Sequence, residues 1–169
     1  MPAAEGVTLC LPYKDGWLPL EAEVAATAGA RAEGLKGREE LGRREGMLFV
    51  YPEPQGQENR FWMHRTPLPL TVAFLGGDGT LLALQGMSPC MSEDGAECAY
   101  YEAGVRHSAA LEVNQGLFRA LGVSEGQRIT LDASRQADCS SMKPFSVDLV
   151  PAPLLSFLFP DLVQFPVNH

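Results

Sequence analysis

Gly76-Gly77-Asp78-Gly79 separates two apolar runs, residues 68–75 and 80–85, and no other stretch restricts the fold as tightly. Asp-Gly between apolar segments is a strong hairpin signal, because both residue types tolerate positive φ. The flanking runs are rich in β-branched and aromatic residues, so they read as two strands joined by a turn at residues 77–80. Upstream, residues 46–50 (GMLFV) form another apolar run, stopped by Tyr51-Pro52-Glu53-Pro54. That is the pattern of a buried strand ended by proline. Residues 55–59 read as a polar loop, and Phe61-Trp62-Met63 restarts the apolar pattern. The stretch 46–87 is therefore expected to form a β-meander.

The flanks carry weaker signals of the same kind. Residues 7–11 and 17–25 read as paired strands across Lys14-Asp15-Gly16, with Leu18, Leu20, Ala22 and Val24 on one face. Pro19 lacks a backbone donor and marks an edge position. Thr27 is placed to cap a helix running to about Lys36, which Gly37 would end. Residues 87–101 read as an irregular loop and 108–113 as a strand. A second short helix begins near Asn114, places Leu117, Phe118 and Leu121 at helical spacing, and stops at Gly122. Residues 128–131 read as a last strand. The expected fold is mostly β with two short helices (α+β), a compact barrel-like domain of about seven or eight strands over residues 1–132. Residues 133–169 form a proline-rich C-terminal extension whose apolar patch, residues 154–159, is expected to pack partly on the body.

Five segments stand in one order along the chain: G-L-x-x-R (Gly34, Leu35, Arg38), E-G-M-L-F-V (45–50), F-W-M-x-x-T-x-x-P-L (61–70), A-F-L-x-x-D-G (73–79) and L-E-V-N-x-G (111–116). Together they resemble the bacterial and archaeal family called domain of unknown function 192, over roughly residues 7–132. The resemblance implies a compact, mostly β fold with two short helices, and it adds Arg38 to the candidate residues. It brings no reaction. Two positions depart from the family's usual pattern: Lys36 stands where methionine follows G-L, and Thr71 where aspartate follows P-L.

The formal charge of −8 argues against nucleic acid as a partner and against anionic membrane, since neutralising phosphates takes clustered cations. Seven of the thirteen Lys and Arg residues nevertheless lie between Arg31 and Arg65, among six acidic ones. A solvated mixed-charge face is one reading of that window and a small anion site the other. The N-terminus shows no basic and apolar leader pattern, and no apolar run reaches the ~20 residues that span a bilayer. These features predict a cytoplasmic chain without a membrane span, although members of the resembled family often carry export signals.

The chemistry-bearing residues are few. Strict strand alternation puts Arg60, Trp62 and His64 on one face and Phe61 and Met63 on the other. If that polar face is open, Arg60, Trp62 and His64, with Arg65 and Arg38 nearby, make a platform for a small anionic ligand or a protein partner. Burial of the strand on both sides is the competing reading. Cys90 and Cys98 flank a seven-residue acidic loop and read as free thiols, a disulfide or metal ligands. Four structural zinc ligands in close pairs are absent, so neither metal nor cofactor is expected. No nucleophile-elbow, zinc-protease or phosphate-loop motif is present. A non-catalytic binding module is the leading expectation. A thiol- or histidine-centred enzyme on the 87–101 loop and a structural accessory domain are the alternatives.

Overall fold

Where the sequence predicts a turn, the chain reverses. Strand β5 (Leu70–Leu75) and strand β6 (Leu81–Met87) form the antiparallel hairpin. The Gly76 amide donates to the Thr80 carbonyl (2.9 Å), and the Asp78 carboxylate accepts from the Thr80 amide (3.0 Å). Of the turn residues only Gly79 has positive φ, +82°. A Cβ there would lie 2.2 Å from the Ile129 carbonyl oxygen, so both backbone angle and space demand glycine.

The computed structural model describes residues 6–134 and 136–149. The remaining strands are β1 (Gly6–Tyr13), β2 (Gly16–Ala25), β3 (Glu45–Gln55), β4 (Arg60–Trp62), β7 (Tyr100–Glu102), β8 (His107–Asn114), β9 (Thr130–Asp132) and β10 (Met142–Pro144), with helices α1 (Ala28–Glu33) and α2 (Leu117–Leu121). The fold is mostly β with two short helices. Thr27 caps α1 by accepting from the Ala30 amide, and Gly34, at φ +54°, ends it.

Eight strands form one mixed sheet in the order β10-β9-β1-β2-β3-β8-β5-β6, and β4 pairs with β7 in a separate two-stranded sheet. Two expectations are corrected here. The meander does not form, because β8 sits between β3 and β5, antiparallel to both. In that place β8, buried along nearly its whole length, finds a partner on either edge, which a direct β3–β5 contact would deny it. Nor does the sheet close into a barrel. Its end strands, β10 and β6, are not laddered together; the chain entering β9 meets the start of β6 through an isolated Thr80–Arg128 bridge and the hydrogen bonds of Leu81 with Gln127 and Gly126. Pro19 is reconciled by register. Although β2 is interior, β3 joins it only from Glu21 onward, so at Pro19 the strand has β1 alone as neighbour.

Both faces of the sheet are covered, which is why its strands read as continuous apolar runs rather than alternating ones. Leu48, Val50, Leu75, Leu111 and Val113 point to one side, where Phe118 of α2 packs. Met47, Phe49, Val72, Phe74 and Ala110 point to the other, under Leu35, Phe61 and Met63. Beyond residue 132 the chain adds β10, which pairs with β9, and Phe145, which is buried in the first core. The apolar patch at residues 154–159 lies outside the described residues.

Candidate functional site

The second face of the sheet is incompletely filled. Between it, α1 with its following turn, and β4 lies a cavity of about 500 Å³. Phe49, Phe61, Met63 and Leu70 make apolar walls, while Lys36, Arg60 and Trp62 line the mouth. A cleft of this size, mainly apolar with a few polar groups, is the usual form of a small-molecule site.

Strand β4 presents its residues alternately. Phe61 and Met63 are buried, whereas Arg60 and Trp62 are exposed and His64 is half-buried. The Trp62 indole stacks on His64 (centroids 4.7 Å apart) and on Tyr100 (5.7 Å), with the Lys36 ammonium 5.6 Å from its centroid. Arg60 lies over the Tyr100 ring at 4.3 Å. Neither Lys36 nor Arg60 forms an ion pair among the described residues. Two unneutralised cations and an aromatic surface therefore stand together at the mouth.

The other candidates do different things. Arg38 makes a bidentate pair with Glu23, both contacts 2.7 Å, away from the cavity. Its hydrogen bonds hold the Glu23 carboxyl below the usual carboxylate range. Arg65 has φ +58°; its amide donates to the Cys90 carbonyl and its carbonyl accepts from the Gly37 amide. Both residues serve local structure. Lys36, at a position that departs from the resembled family, is at the mouth, whereas Thr71, at the other, pairs with Val113 in β8.

Cys90 and Cys98 are joined in a disulfide, and a second disulfide joins Cys10 to Cys139. None of the four cysteines is free, so the 87–101 loop presents no thiolate nucleophile. The stapled loop instead supports Trp62. The indole N–H donates to the Gly95 carbonyl (3.2 Å), and a Cβ on Gly95 would lie 2.4 Å from the indole ring. Residues 100 and 101, expected as the end of the loop, belong to β7, which pairs with β4.

Histidine chemistry is restrained too. His107 is buried; its Nδ1 donates to the Val105 carbonyl (2.9 Å) and its Nε2 accepts from the Asn59 amide (3.0 Å). Burial lowers its pKa, which favours that neutral tautomer. The same Asn59 nitrogen donates to the Tyr51 hydroxyl on the cavity wall.

The residue that sequence reasoning missed is Glu112. It lies in β8, cross-strand from Met47 and Val72, and lines the cavity among apolar side chains at 5% exposure. Among the described residues none hydrogen-bonds or ion-pairs its carboxyl, and burial pushes its pKa up to about 8. A signal did exist: one charge inside the otherwise apolar run Ala109–Val113 is costly unless something answers it.

The model of family DUF192, described as an uncharacterised conserved group, matches residues 12–131. The chain belongs to the DUF192 family. No curated protein matches it. Among the solved structures that resemble it are a protein of Sinorhizobium meliloti 1021, provisionally named a transcription regulator, and a protein of unknown function from Novosphingobium aromaticivorans DSM 12444. The first is 28% identical with a TM-score of 0.67, covering 78% of this chain and 97% of its own. The second is also 28% identical, with a TM-score of 0.64 and coverages of 76% and 89%. The two structures share the fold across most of their length. No helix among the described residues is long and apolar enough to cross a membrane.

Proposed function

We propose that this DUF192 domain is a non-catalytic binding module for a small ligand that carries an anionic group. The observation that carries the reading is the cavity of about 500 Å³ with Arg60, Lys36 and Trp62 at its mouth. The anion of the ligand would meet the two cations and its apolar body the walls. A guanidinium already held over an aromatic ring is partly preorganised for a carboxylate or phosphate. Protein-partner binding on the same exposed Trp62 face is the second form of this reading. DNA binding is not carried over from the name of the Sinorhizobium protein, because the charge of −8 supplies no excess of cations for phosphates. Two disulfides favour an oxidising compartment over the expected cytoplasm.

The test is a thermal-shift screen against small carboxylates, phosphates and sulfonates, repeated on Arg60→Ala and Trp62→Ala. A ligand at about 100 times its Kd adds about 2.7 kcal/mol, or roughly 5–10 °C at this chain length. A shift abolished by Arg60→Ala, with the variant's own Tm preserved, supports the reading. Shifts indifferent to both substitutions would sink it.

A further inference from the structure

The mouth of the cavity is cationic, yet its interior holds an acid. Glu112 is anchored on β8, the strand between β3 and β5, so the cavity cannot shed it without breaking two ladders. Its sheet neighbours, Met47 and Val72, are apolar. The titratable and charged groups that share the cavity are Tyr51 on β3, Arg31 and Glu33 on α1, Lys36 in the turn after it, and Arg60 on β4. Arg31 is committed elsewhere: its Nη1 donates to the Ala26 (2.8 Å) and Val50 (3.0 Å) carbonyls, and its guanidinium faces the Tyr51 ring. The Tyr51 hydroxyl accepts from Asn59. Lys36 and Arg60 share the cavity but neither ion-pairs with Glu112, and a buried carboxyl in that position is carried as the neutral acid. A neutral carboxyl is an O–H donor, and among the described residues none accepts from it.

We infer that the inner end of the cavity selects ligands bearing a neutral hydrogen-bond acceptor, a carbonyl oxygen above all, which takes the hydrogen bond of the Glu112 carboxyl while the ligand's anion sits with Arg60 and Lys36. The inference rests on the binding-module reading and narrows its ligand class to anions with an apolar spacer and a distal carbonyl. Leaving a buried donor unmatched is costly, so a ligand without the acceptor is penalised rather than merely less favoured.

The experiment is calorimetric titration of the full chain with monomethyl esters of α,ω-dicarboxylic acids of increasing length. Each ester is compared with the straight-chain carboxylate of equal length and with the matching ω-amino carboxylate. At one spacer length the ester should bind about five- to tenfold more tightly than its alkyl counterpart. That preference should hold well below pH 8 and disappear well above it, where the carboxyl has ionised. Glu112→Gln, whose amide still donates, should keep the preference at every pH, and Glu112→Leu should lose it while still binding the carboxylates. Binding that depends on Arg60 but shows no ester preference at any length overturns this inference and leaves the binding module standing. Tightest binding by the ω-amino compounds, strengthening above pH 8, also overturns it, since Glu112 would then act as a carboxylate for a cation. If no member of the three series binds, this inference falls, and the phosphate and sulfonate arms of the thermal-shift screen decide the binding module. A ligand-independent check is the infrared band of a protonated carboxylic acid. It should be present at neutral pH and absent in Glu112→Gln; if it is missing from the unsubstituted protein, the neutral donor does not exist.

Discussion

Single positions decide two properties of this molecule. The raised pKa of Glu112 has a thermodynamic sign. Because the folded state keeps the proton that the unfolded chain gives up near its ordinary value, folding loses stability as pH rises from that value through about 8. Glu112→Gln removes the titration, so it should be more stable than the parent by a few kcal/mol at alkaline pH, with the gap closing on acidification. Urea melts at several pH values would measure it, and a pH-independent gap would contradict the assigned burial of the charge. At Gly79 the argument is steric. Gly79→Ala combines a left-handed backbone with a clash against Ile129 and Phe145, and should cost about 2 kcal/mol or more, read as a lower denaturation midpoint.

At the scale of elements, the mouth of the cavity is shaped by one three-residue strand and one stapled loop. Strand β4 supplies Arg60 and Trp62, and the loop closed by Cys90–Cys98 holds the Gly95 carbonyl against the indole. Cys98→Ser should leave the large sheet folded but increase quenching of tryptophan emission by iodide, as the loop leaves the ring. Unchanged quenching would show that Gly95 stays in place without the bridge. Arg38 acts differently, tying the turn after α1 to β2 through Glu23. With the two side chains 40% and 33% exposed, solvent weakens the pair, and Arg38→Ala should cost no more than about 1 kcal/mol. Glu23 is held below its ordinary pKa, so that contribution is present at neutral pH and lost as acid protonates the carboxyl. Ligand binding at the cavity should not change.

For the whole molecule, the long-range constraint is Cys10–Cys139, which spans 129 positions of sequence and fastens the strand region after β9 to β1. Closing so long a loop restricts the unfolded chain strongly, and Cys10→Ser with Cys139→Ser should cost about 2–5 kcal/mol. Reduction of the parent protein should lower the melting temperature comparably, and a reduced protein as stable as the oxidised one would refute the bridge's role. The sheet is open rather than closed; the covalent link restrains its β1–β9 side, and the Thr80–Arg128 bridge with the hydrogen bonds beside it restrains the start of β6.

Features governed by a few neighbouring residues were legible in the amino-acid order alone. The 77–80 turn, the Thr27 cap, the Gly122 stop and the outward placement of Arg60 and Trp62 opposite Phe61 and Met63 all follow from φ preferences, capping and the two-residue period of a strand, whereas the first helix ends at Gly34 rather than at the expected Gly37. Insertion of β8 between β3 and β5 was not legible, because any apolar strand can pair with any other and the choice is made by the core as a whole. Arg38, grouped with the cavity residues by its motif, finds its carboxylate on β2 instead, a partner fifteen positions away that no local pattern specifies. Glu112 was written plainly within Leu111-Glu112-Val113, but a charge in a strand has no chemistry until its surroundings are known. Only the packed sheet faced it into an apolar cavity without a partner, and that desolvation, a property of atoms far apart in sequence, is what makes the acid a candidate for function.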